Sequence, residues 1–187
     1  VRQSTAYQGD LEGVVDSLEI GGRNLLPLSD FRGWDSGYQI DGHKFTVTGK
    51  KAGIRLPNTH INSSGVQMAL SFKVRKLSGS VTRLGGHIGP MGSNIKTYMD
   101  GEYISSSFLF DYIDDTDEHY FVTTFTTGSG TDDWIYIQPN RNHYSLDYVM
   151  EIWDIKLEKG TKATDWTPAP EDMVDKNEII SSINQTA

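Results

Sequence analysis

Apolar and polar residues alternate with a period of two along most of this chain. From Val66 to Val74 every second residue is apolar, as in a strand with one buried face. Turn-forming Gly, Asp, Asn and Pro residues separate segments of this kind. The other segments are Phe45–Thr48, Tyr103–Tyr112, His119–Thr127, Trp134–Gln138 and Val149–Leu157. Six or more short strands without an intervening helical pattern predict an all-β fold, an antiparallel β-sandwich of the jelly-roll kind.

Helical spacing is found only near the end of the chain. From Glu171 onward four apolar residues fall near helical spacing, and two prolines precede them. So short a segment cannot hold an isolated helix in water, so we expect it to dock on the sandwich or to begin a longer stalk. The expected organisation is a connector at 1–22, a jelly-roll module at 23–170 and the start of a helical stalk at 171–187. The first residues show neither an initiator Met nor an apolar signal core, so we expect the chain to begin inside a longer polypeptide.

Composition excludes several classes of partner and chemistry. With 17 Lys and Arg against 25 Asp and Glu, the formal charge of −8 argues against a nucleic-acid partner, which needs a clustered basic face. The longest unbroken apolar run, Trp134–Ile137, is far shorter than the roughly 20 residues that span a bilayer, so we expect no membrane partner. The chain has no cysteine, which excludes disulfides and thiolate sites.

Motifs of catalysis and cofactor binding are missing from the sequence. The five histidines occur singly, without the paired spacing of a zinc site, and no nucleophile elbow is present. The glycine-rich stretch Gly85–Gly92 matches neither a P-loop nor a dinucleotide fingerprint, and we interpret it as a loop. The acidic run from Asp111 to Glu118 is interpreted as a solvated turn, with structural calcium as the alternative. We expect no enzymatic activity and no cofactor.

The aromatic residues give the most specific functional signal. In the segment around Trp134 and Tyr136, alternation places both rings on the face opposite Ile135 and Ile137. If the isoleucines face the core, the exposed rings suit a sugar, whose C–H faces stack on aromatic rings. Polar neighbours that would hydrogen-bond the sugar hydroxyls are Asp133, Gln138 and Asn140. The opposite orientation, with the two rings buried, fits the alternation equally well.

Three further aromatic residues are weaker candidates for the same sugar site. Trp34 lies in a glycine-flanked segment, and Tyr98 and Tyr103 flank the turn at Asp100-Gly101. For each of these rings alone, ordinary packing is the competing interpretation.

Two segments of the chain carry a family resemblance. The segment Ile155–Asp172 reads IKLEKGTKATDWTPAPED, and Asn24-Leu25-Leu26 lies near the start. Together with Trp34, they resemble the carbohydrate-binding modules inserted in tail and baseplate proteins of phages that infect Gram-positive bacteria. Residues 177–186 likewise look like the opening of the helical stalk that follows such modules.

The resemblance implies a location and a role. It implies a jelly-roll module at the tail tip of a virion, outside the host cell, that binds host cell-wall polysaccharide without catalysis for recognition and adsorption. It also implies other tail or baseplate proteins as partners and a homotrimer in the full-length protein. The competing hypothesis is a structural spacer of the tail fibre or baseplate that binds no glycan.

Overall fold

A computed structural model describes residues 22–34, 37–50, 52–57, 61, 63–89, 91–112, 114–129, 134–141 and 144–172. Short 3-10 turns at Leu28–Asp30 and Pro170–Asp172 lie near the two ends of this region. The strands are β1 (Arg32–Trp34), β2 (Tyr38–Asp41), β3 (Lys44–Gly49), β4 (Gly53–Pro57), β5 (Gln67–Gly79), β6 (Arg83–Ile88), β7 (Met91–Met99), β8 (Glu102–Ser105), β9 (Leu109–Asp111), β10 (Glu118–Thr127), β11 (Trp134–Ile137) and β12 (Tyr148–Lys159). No helix in this part of the chain is long and apolar enough to cross a membrane.

The strands form two antiparallel sheets. The five-stranded sheet has the order β1-β4-β11-β6-β9, and the seven-stranded sheet has the order β2-β3-β12-β5-β10-β7-β8. From β3 to β12 the chain passes between the two sheets at nearly every connection, the β7–β8 hairpin being the exception. This pattern confirms the predicted all-β jelly-roll sandwich. The expected helical stalk, beyond Asp172, and nearly all of the expected connector lie outside the described residues.

Aromatic rings fill much of the space between the sheets. Phe121 on β10 stacks on Phe72 of β5 at 5.6 Å between centroids and on Phe110 of β9 at 5.0 Å. The phenylalanines at 72, 108, 110 and 125 are all buried. Burying each such ring contributes about 1.5–3 kcal/mol of hydrophobic stabilisation.

The segment that follows β12 covers part of the seven-stranded sheet and buries an ion pair there. Lys156 and Glu158 are both fully buried, with Nζ and Oε2 3.6 Å apart. The Lys156 ammonium donates to Thr164 Oγ1 and to the Asp165 carbonyl, each at 2.7 Å. Glu158 accepts hydrogen bonds from the Thr164 backbone N–H at 2.7 Å and its hydroxyl at 2.8 Å. Residues 156–165, part of the segment that carries the sequence resemblance, therefore form a hydrogen-bonded network around two buried charges.

Asn24 joins the start of the module to this closing segment. Its amide nitrogen donates to the carbonyls of Ile155 and Thr167, each at 3.2 Å. Its side-chain oxygen accepts from the backbone N–H groups of Leu26 and Leu157. The two sequence segments that carry the resemblance are thus in direct contact.

The glycine-rich stretch shows one error of the sequence interpretation. Residues 83–88 form strand β6 and Gly92 lies on β7, so the prediction of a loop over Gly85–Gly92 was wrong for most of that stretch. A Cβ at Gly86 would lie 2.1 Å from the Tyr136 carbonyl oxygen, and one at Gly85, where φ is +108°, would lie 1.7 Å from that of Phe108. Glycine is required here because neighbouring backbones approach too closely for a side chain.

Candidate functional site

Strand β11 presents two aromatic rings on the outer side of the five-stranded sheet. Ile135 and Ile137 are fully buried in the core, whereas Trp134 and Tyr136 are partly exposed. The structure therefore adopts the first of the two orientations that alternation allowed. Because β11 is the central strand of its sheet, both rings lie in the middle of the face.

Strand pairing aligns charged and aromatic side chains across this face. Tyr136 is opposite Arg55 on β4 and His87 on β6, and Arg55 is in turn opposite Arg32 on the edge strand β1. Directly paired residues of antiparallel strands point to the same side of the sheet. The row Arg32, Arg55, Tyr136, His87 therefore crosses four of the five strands.

Arginine side chains contact both rings of β11. The Arg55 guanidinium lies over Trp134, with Cζ 3.2 Å from the ring centroid, and 6.0 Å from that of Tyr136. The Arg141 guanidinium approaches Tyr136 at 5.8 Å, and the His87 ring lies 6.3 Å from it. Such cation–π contacts contribute about 0.5–2 kcal/mol each, depending on burial. We call the surface formed by Arg55, His87, Trp134, Tyr136 and Arg141 the aromatic-basic face.

Two of the predicted polar site residues are not available on this face. Asn140 is 0% exposed, and its amide accepts from the Thr82 N–H at 2.9 Å and donates to the Ser80 carbonyl at 2.7 Å. It also adopts a left-handed backbone with φ of 51°, so its role is to hold the turn after β11 against the 80–82 segment. In this structure the Asn140 amide is not accessible to a sugar on this face. Gln138 is only 6% exposed and is likewise buried where a surface ligand cannot reach it.

The remaining predicted residues are in other places. Tyr98 and Tyr103 are on β7 and β8 of the seven-stranded sheet, where their rings meet edge to face at 5.8 Å. Tyr103 is 57% exposed, but the pair lies on a different sheet from Trp134. Trp34 pairs with Gly53 at the edge of the five-stranded sheet, and its side chain is outside the described part of the chain, as is Asp133.

Sequence reasoning missed the basic residues of the face. Arg55 alternates with Ile54 and Leu56 in a short apolar segment, a period-two signal that marks an outward side chain on a strand. His87 was hidden by the glycines before it, which made β6 look like a loop. Arg141 follows Asn140 in the turn after β11, and no sequence pattern indicates its proximity to Tyr136.

The seven-stranded sheet carries a cleft of about 610 Å³. Its lining includes Lys73, Tyr120, Asp154 and residues 163–166. The Asp154 carboxylate contacts His43 Nε2 at 3.0 Å and Lys73 Nζ at 3.2 Å. The His43 ring stacks on Trp166 at 4.5 Å. Lys73 and Asp154 of this cleft are therefore paired with each other, and one ring face of Trp166 is already covered.

The acidic turn between β9 and β10 is engaged by neighbouring protein groups. His119 lies between two carboxylates, with Nδ1 2.6 Å from Asp100 Oδ2 and Nε2 2.9 Å from Asp115 Oδ1. Burial lowers the pKa of His119, but these two hydrogen bonds outweigh it and raise the pKa above its ordinary value of 6.5. Burial and nearby carboxylates also raise the pKa of the Tyr112 hydroxyl.

Asp114 anchors the same turn to β5 and the segment after it. Burial raises the pKa of this carboxyl, but hydrogen bonds from the Lys76 ammonium, the Ser80 hydroxyl and the Val81 N–H outweigh burial and hold it at about 2. Among the residues that the structure describes, no group of three or more His, Asp or Glu side chains is placed to hold a metal ion. The carboxylates of Asp114 and Asp115 accept hydrogen bonds from groups of the turn and of the neighbouring segments.

No protein-family model matches this chain, and no curated protein sequence matches it. Similar solved structures include the tripod (BppUct-A-L) from the baseplate of bacteriophage Tuc2009, with 16% identity, a TM-score of 0.46 and coverage of 81% of this chain and 60% of that chain. The enzymatically active domain of bacteriophage CBA120 tailspike protein 4 has 9% identity, a TM-score of 0.41 and coverage of 73% and 20%. A family 29 carbohydrate-binding module from Piromyces equi has 14% identity, a TM-score of 0.37 and coverage of 84% and 93%. All three TM-scores are below 0.5, so we argue function from the residues of this chain.

Proposed function

We propose that this chain is a non-catalytic carbohydrate-binding module of a phage tail or baseplate protein. Its ligand is the cell-wall polysaccharide of a Gram-positive host, and its role is host recognition and adsorption at the tail tip. The sequence resemblance, carried by two segments that contact each other in the fold, supports the phage assignment. The aromatic-basic face supports the binding function.

One observation carries the proposal: two neighbouring rings of β11 point outward although the same strand buries two isoleucines. Because β11 is the central strand, these two rings place partly exposed aromatic surface in the middle of the sheet. Flat rings surrounded by hydrogen-bond donors match a sugar, which offers C–H faces for stacking and hydroxyls for polar contacts. The face is thus chemically suited to a chain of sugar residues lying across the strands.

The cleft on the seven-stranded sheet is the competing location. Its Asp154 carboxylate already pairs with His43 and Lys73, so a ligand that binds Asp154 would have to replace these contacts. The aromatic-basic face instead places two partly exposed rings and the Arg55 guanidinium in the middle of a sheet. We therefore place the glycan on the five-stranded sheet.

Affinity at a single face is expected to be modest. A shallow surface gains a few contacts of about 1 kcal/mol each beyond area burial, and it must offset the loss of translational freedom on binding. Three copies on a homotrimeric fibre would raise the effective affinity through multivalency without any new contact. Other tail or baseplate proteins would hold the copies in place.

A fluorescently labelled form of the chain tests the proposal on intact Gram-positive cells and on their purified wall polysaccharide. We expect labelling of some strains and not others, and about a tenfold loss of polysaccharide affinity in Tyr136→Ala and Trp134→Ala. Tyr103→Ala is the matched control, because it removes an exposed ring from the other sheet.

Three other outcomes of these binding measurements would contradict parts of the proposal. If Trp134→Ala and Tyr136→Ala bind as the unmodified chain does, the glycan is not on this face. If the chain binds no wall polysaccharide from any strain, the structural-spacer hypothesis replaces the proposal. Release of soluble wall fragments by the chain would show catalysis and contradict a non-catalytic role.

A further inference from the structure

We infer that the cleft on the outer side of the seven-stranded sheet is a second carbohydrate site, and that it takes a single neutral sugar unit. The inference rests on the proposed function, because it gives a glycan-binding module a second site of its own. It is carried by the side chains that line the cleft, by the backbone of Asp154 and by the anchoring of the segment after β12.

The floor of the cleft is formed by the seven-stranded sheet. Tyr120 on β10 pairs with Lys73 on β5, and Lys73 pairs with Trp153 on β12. Directly paired residues point to the same side of a sheet. The strand neighbours Phe72 and Phe121 are buried in the core, so this row faces outward. Tyr120 and Lys73 are both partly exposed and line the cleft.

The opposite side of the cleft is formed by residues 163–166 of the segment after β12. Lys156 and Glu158 make four hydrogen bonds with residues 164 and 165 of this segment. The His43 ring supports Trp166 from one face at 4.5 Å, and Trp166 itself lines the cleft. Both sides of the cleft are therefore held in place by the fold, and a preorganised site loses less conformational entropy when it binds a ligand.

Asp154, which also lines the cleft, has a strained backbone. Its φ of +52° is in the left-handed region that residues other than glycine rarely adopt, and the register of β12 against β5 shifts at this point. Bulges of this kind re-aim a side chain. Here the Asp154 carboxylate reaches both His43 Nε2, at 3.0 Å, and Lys73 Nζ, at 3.2 Å. Asp154 is thus a positioning residue for the ammonium and for the imidazole that supports Trp166, and a sugar need not replace its contacts.

Lys73 keeps hydrogen-bonding capacity for a ligand. An ammonium has three N–H donors. Two described carboxylates lie near Nζ, Asp154 Oδ2 at 3.2 Å and Glu118 Oε1 at 3.8 Å. At least one donor is therefore directed at neither carboxylate. A sugar hydroxyl or ring oxygen can accept a hydrogen bond from it while the ion pair with Asp154 stays intact.

The ligand that these groups match is a neutral sugar unit. The rings of Tyr120 and Trp166 suit the C–H face of a pyranose, and the polar side chains suit its hydroxyls. One lysine and two aspartates are among the described residues that line the cleft, and charges of both signs favour a neutral ligand over an anion. A volume of about 610 Å³ is in the range of small-molecule pockets, which suits one sugar unit and not an extended chain.

The cleft and the aromatic-basic face are on the outer sides of different sheets, which point in opposite directions. The two sites would therefore bind different parts of the glycan or different glycan chains. A second weak site raises the overall affinity of the module through effective concentration.

Nuclear magnetic resonance titration of the full chain with small glycosides tests the inference. The probes are the methyl glycosides of glucose, galactose, rhamnose, N-acetylglucosamine and N-acetylgalactosamine. We expect the indole N–H signal of Trp166, identified by its loss in Trp166→Phe, to shift and saturate with at least one of them. A Kd of about 1 mM is expected, because one sugar unit makes few contacts. Trp134→Ala should leave this response unchanged, since it alters only the other side of the sandwich.

Variants of the cleft provide an independent measurement. Tyr120→Phe keeps the ring and removes one hydroxyl, so it should weaken sugar binding about two- to tenfold. Lys73→Met removes the ammonium and should weaken it about tenfold or more, whereas Lys73→Arg keeps donors at this position and should retain part of the affinity. Lys96→Met is the matched control, because it removes an exposed ammonium from β7 of the same sheet, outside the cleft.

The outcomes separate this inference from the function on which it depends. If no glycoside shifts the Trp166 signal while wall polysaccharide still shifts that of Trp134, the inference is wrong and the proposed function stands. The same holds if Trp166 responds but Tyr120→Phe and Lys73→Met titrate as the unmodified chain does. If neither the polysaccharide nor any glycoside binds, the proposed function itself fails. If Lys73→Met unfolds, Tyr120→Phe and Lys73→Arg still decide.

Discussion

The buried ion pair of Lys156 and Glu158 gives the sharpest prediction about stability. Both side chains are almost fully buried. Lys156 donates two hydrogen bonds to residues 164 and 165, and Glu158 accepts two from residue 164. In Glu158→Ala the ammonium remains buried without its carboxylate, and two donors of Thr164 lose their acceptor. Removing one partner of a buried pair costs about 3–5 kcal/mol.

A loss of this size is large for a domain whose total stability is about 5–15 kcal/mol. At about 2–4 °C for each kcal/mol, we expect the melting temperature of Glu158→Ala to fall by about 6–20 °C. Urea unfolding followed by tryptophan fluorescence measures the free energy directly. The double variant Lys156→Met with Glu158→Leu should recover most of the loss, because replacing a whole buried pair with apolar residues is often neutral.

An exposed ion pair provides the control. Arg23 and Glu171 contact each other at 2.8 Å with 61% and 46% of their side chains exposed, and such pairs contribute about 0–1 kcal/mol. Glu171→Ala should therefore change stability little. If Glu158→Ala is no more destabilised than Glu171→Ala, the segment after β12 does not close over the sheet as the structure shows.

Three further predictions concern other parts of the fold. Because the pKa of His119 is raised in the folded state, the stabilising contribution of this side chain is complete below pH 6.5 and is lost as pH rises through the folded-state pKa. Urea titrations at a series of pH values should show this decline in the free energy of unfolding, and the His119→Gln variant should not show it. The pKa of about 2 at Asp114 means that its contribution is present above its ordinary value of 3.8 and is lost as pH falls towards 2, so Asp114→Asn should flatten acid unfolding over that range, and an unchanged profile would contradict the assignment. Gly86→Ala places a Cβ 2.1 Å from the Tyr136 carbonyl oxygen, so it should weaken both folding and polysaccharide binding, and a variant of normal stability and affinity would show that β6 and β11 are not packed as described.

Period-two alternation was sufficient to predict the sandwich, but it left open which side of β11 faces the core. Phe72, Phe110 and Phe125 are buried because each lies on the core-facing side of a strand. Alternation could not predict which strands are neighbours, since register between distant segments is set by the folded sheet. For that reason Tyr98 and Tyr103 were grouped with Trp134, although the fold places them on the other sheet.

The errors at the site have physical causes. Asn140 looked like a surface amide, but the turn after β11 needs a buried side chain to satisfy the backbone of Ser80 and Thr82. Gly85 and Gly86 indicated a loop because glycine is depleted in strands, whereas here close backbone contacts require it. The stacking of Arg55 on Trp134 depends on the pairing of β4 with β11, which no local pattern reveals.

Nuclear magnetic resonance of the isotope-labelled chain, titrated with a fragment of wall polysaccharide from a strain that the chain labels, tests the central claim most directly. The account predicts that the largest shift changes belong to the indole N–H of Trp134, the Arg55 guanidinium and the backbone amides of β11 and β6. Changes concentrated at Trp166 and Asp154, or at Tyr98 and Tyr103, would contradict the assignment of the glycan to the aromatic-basic face.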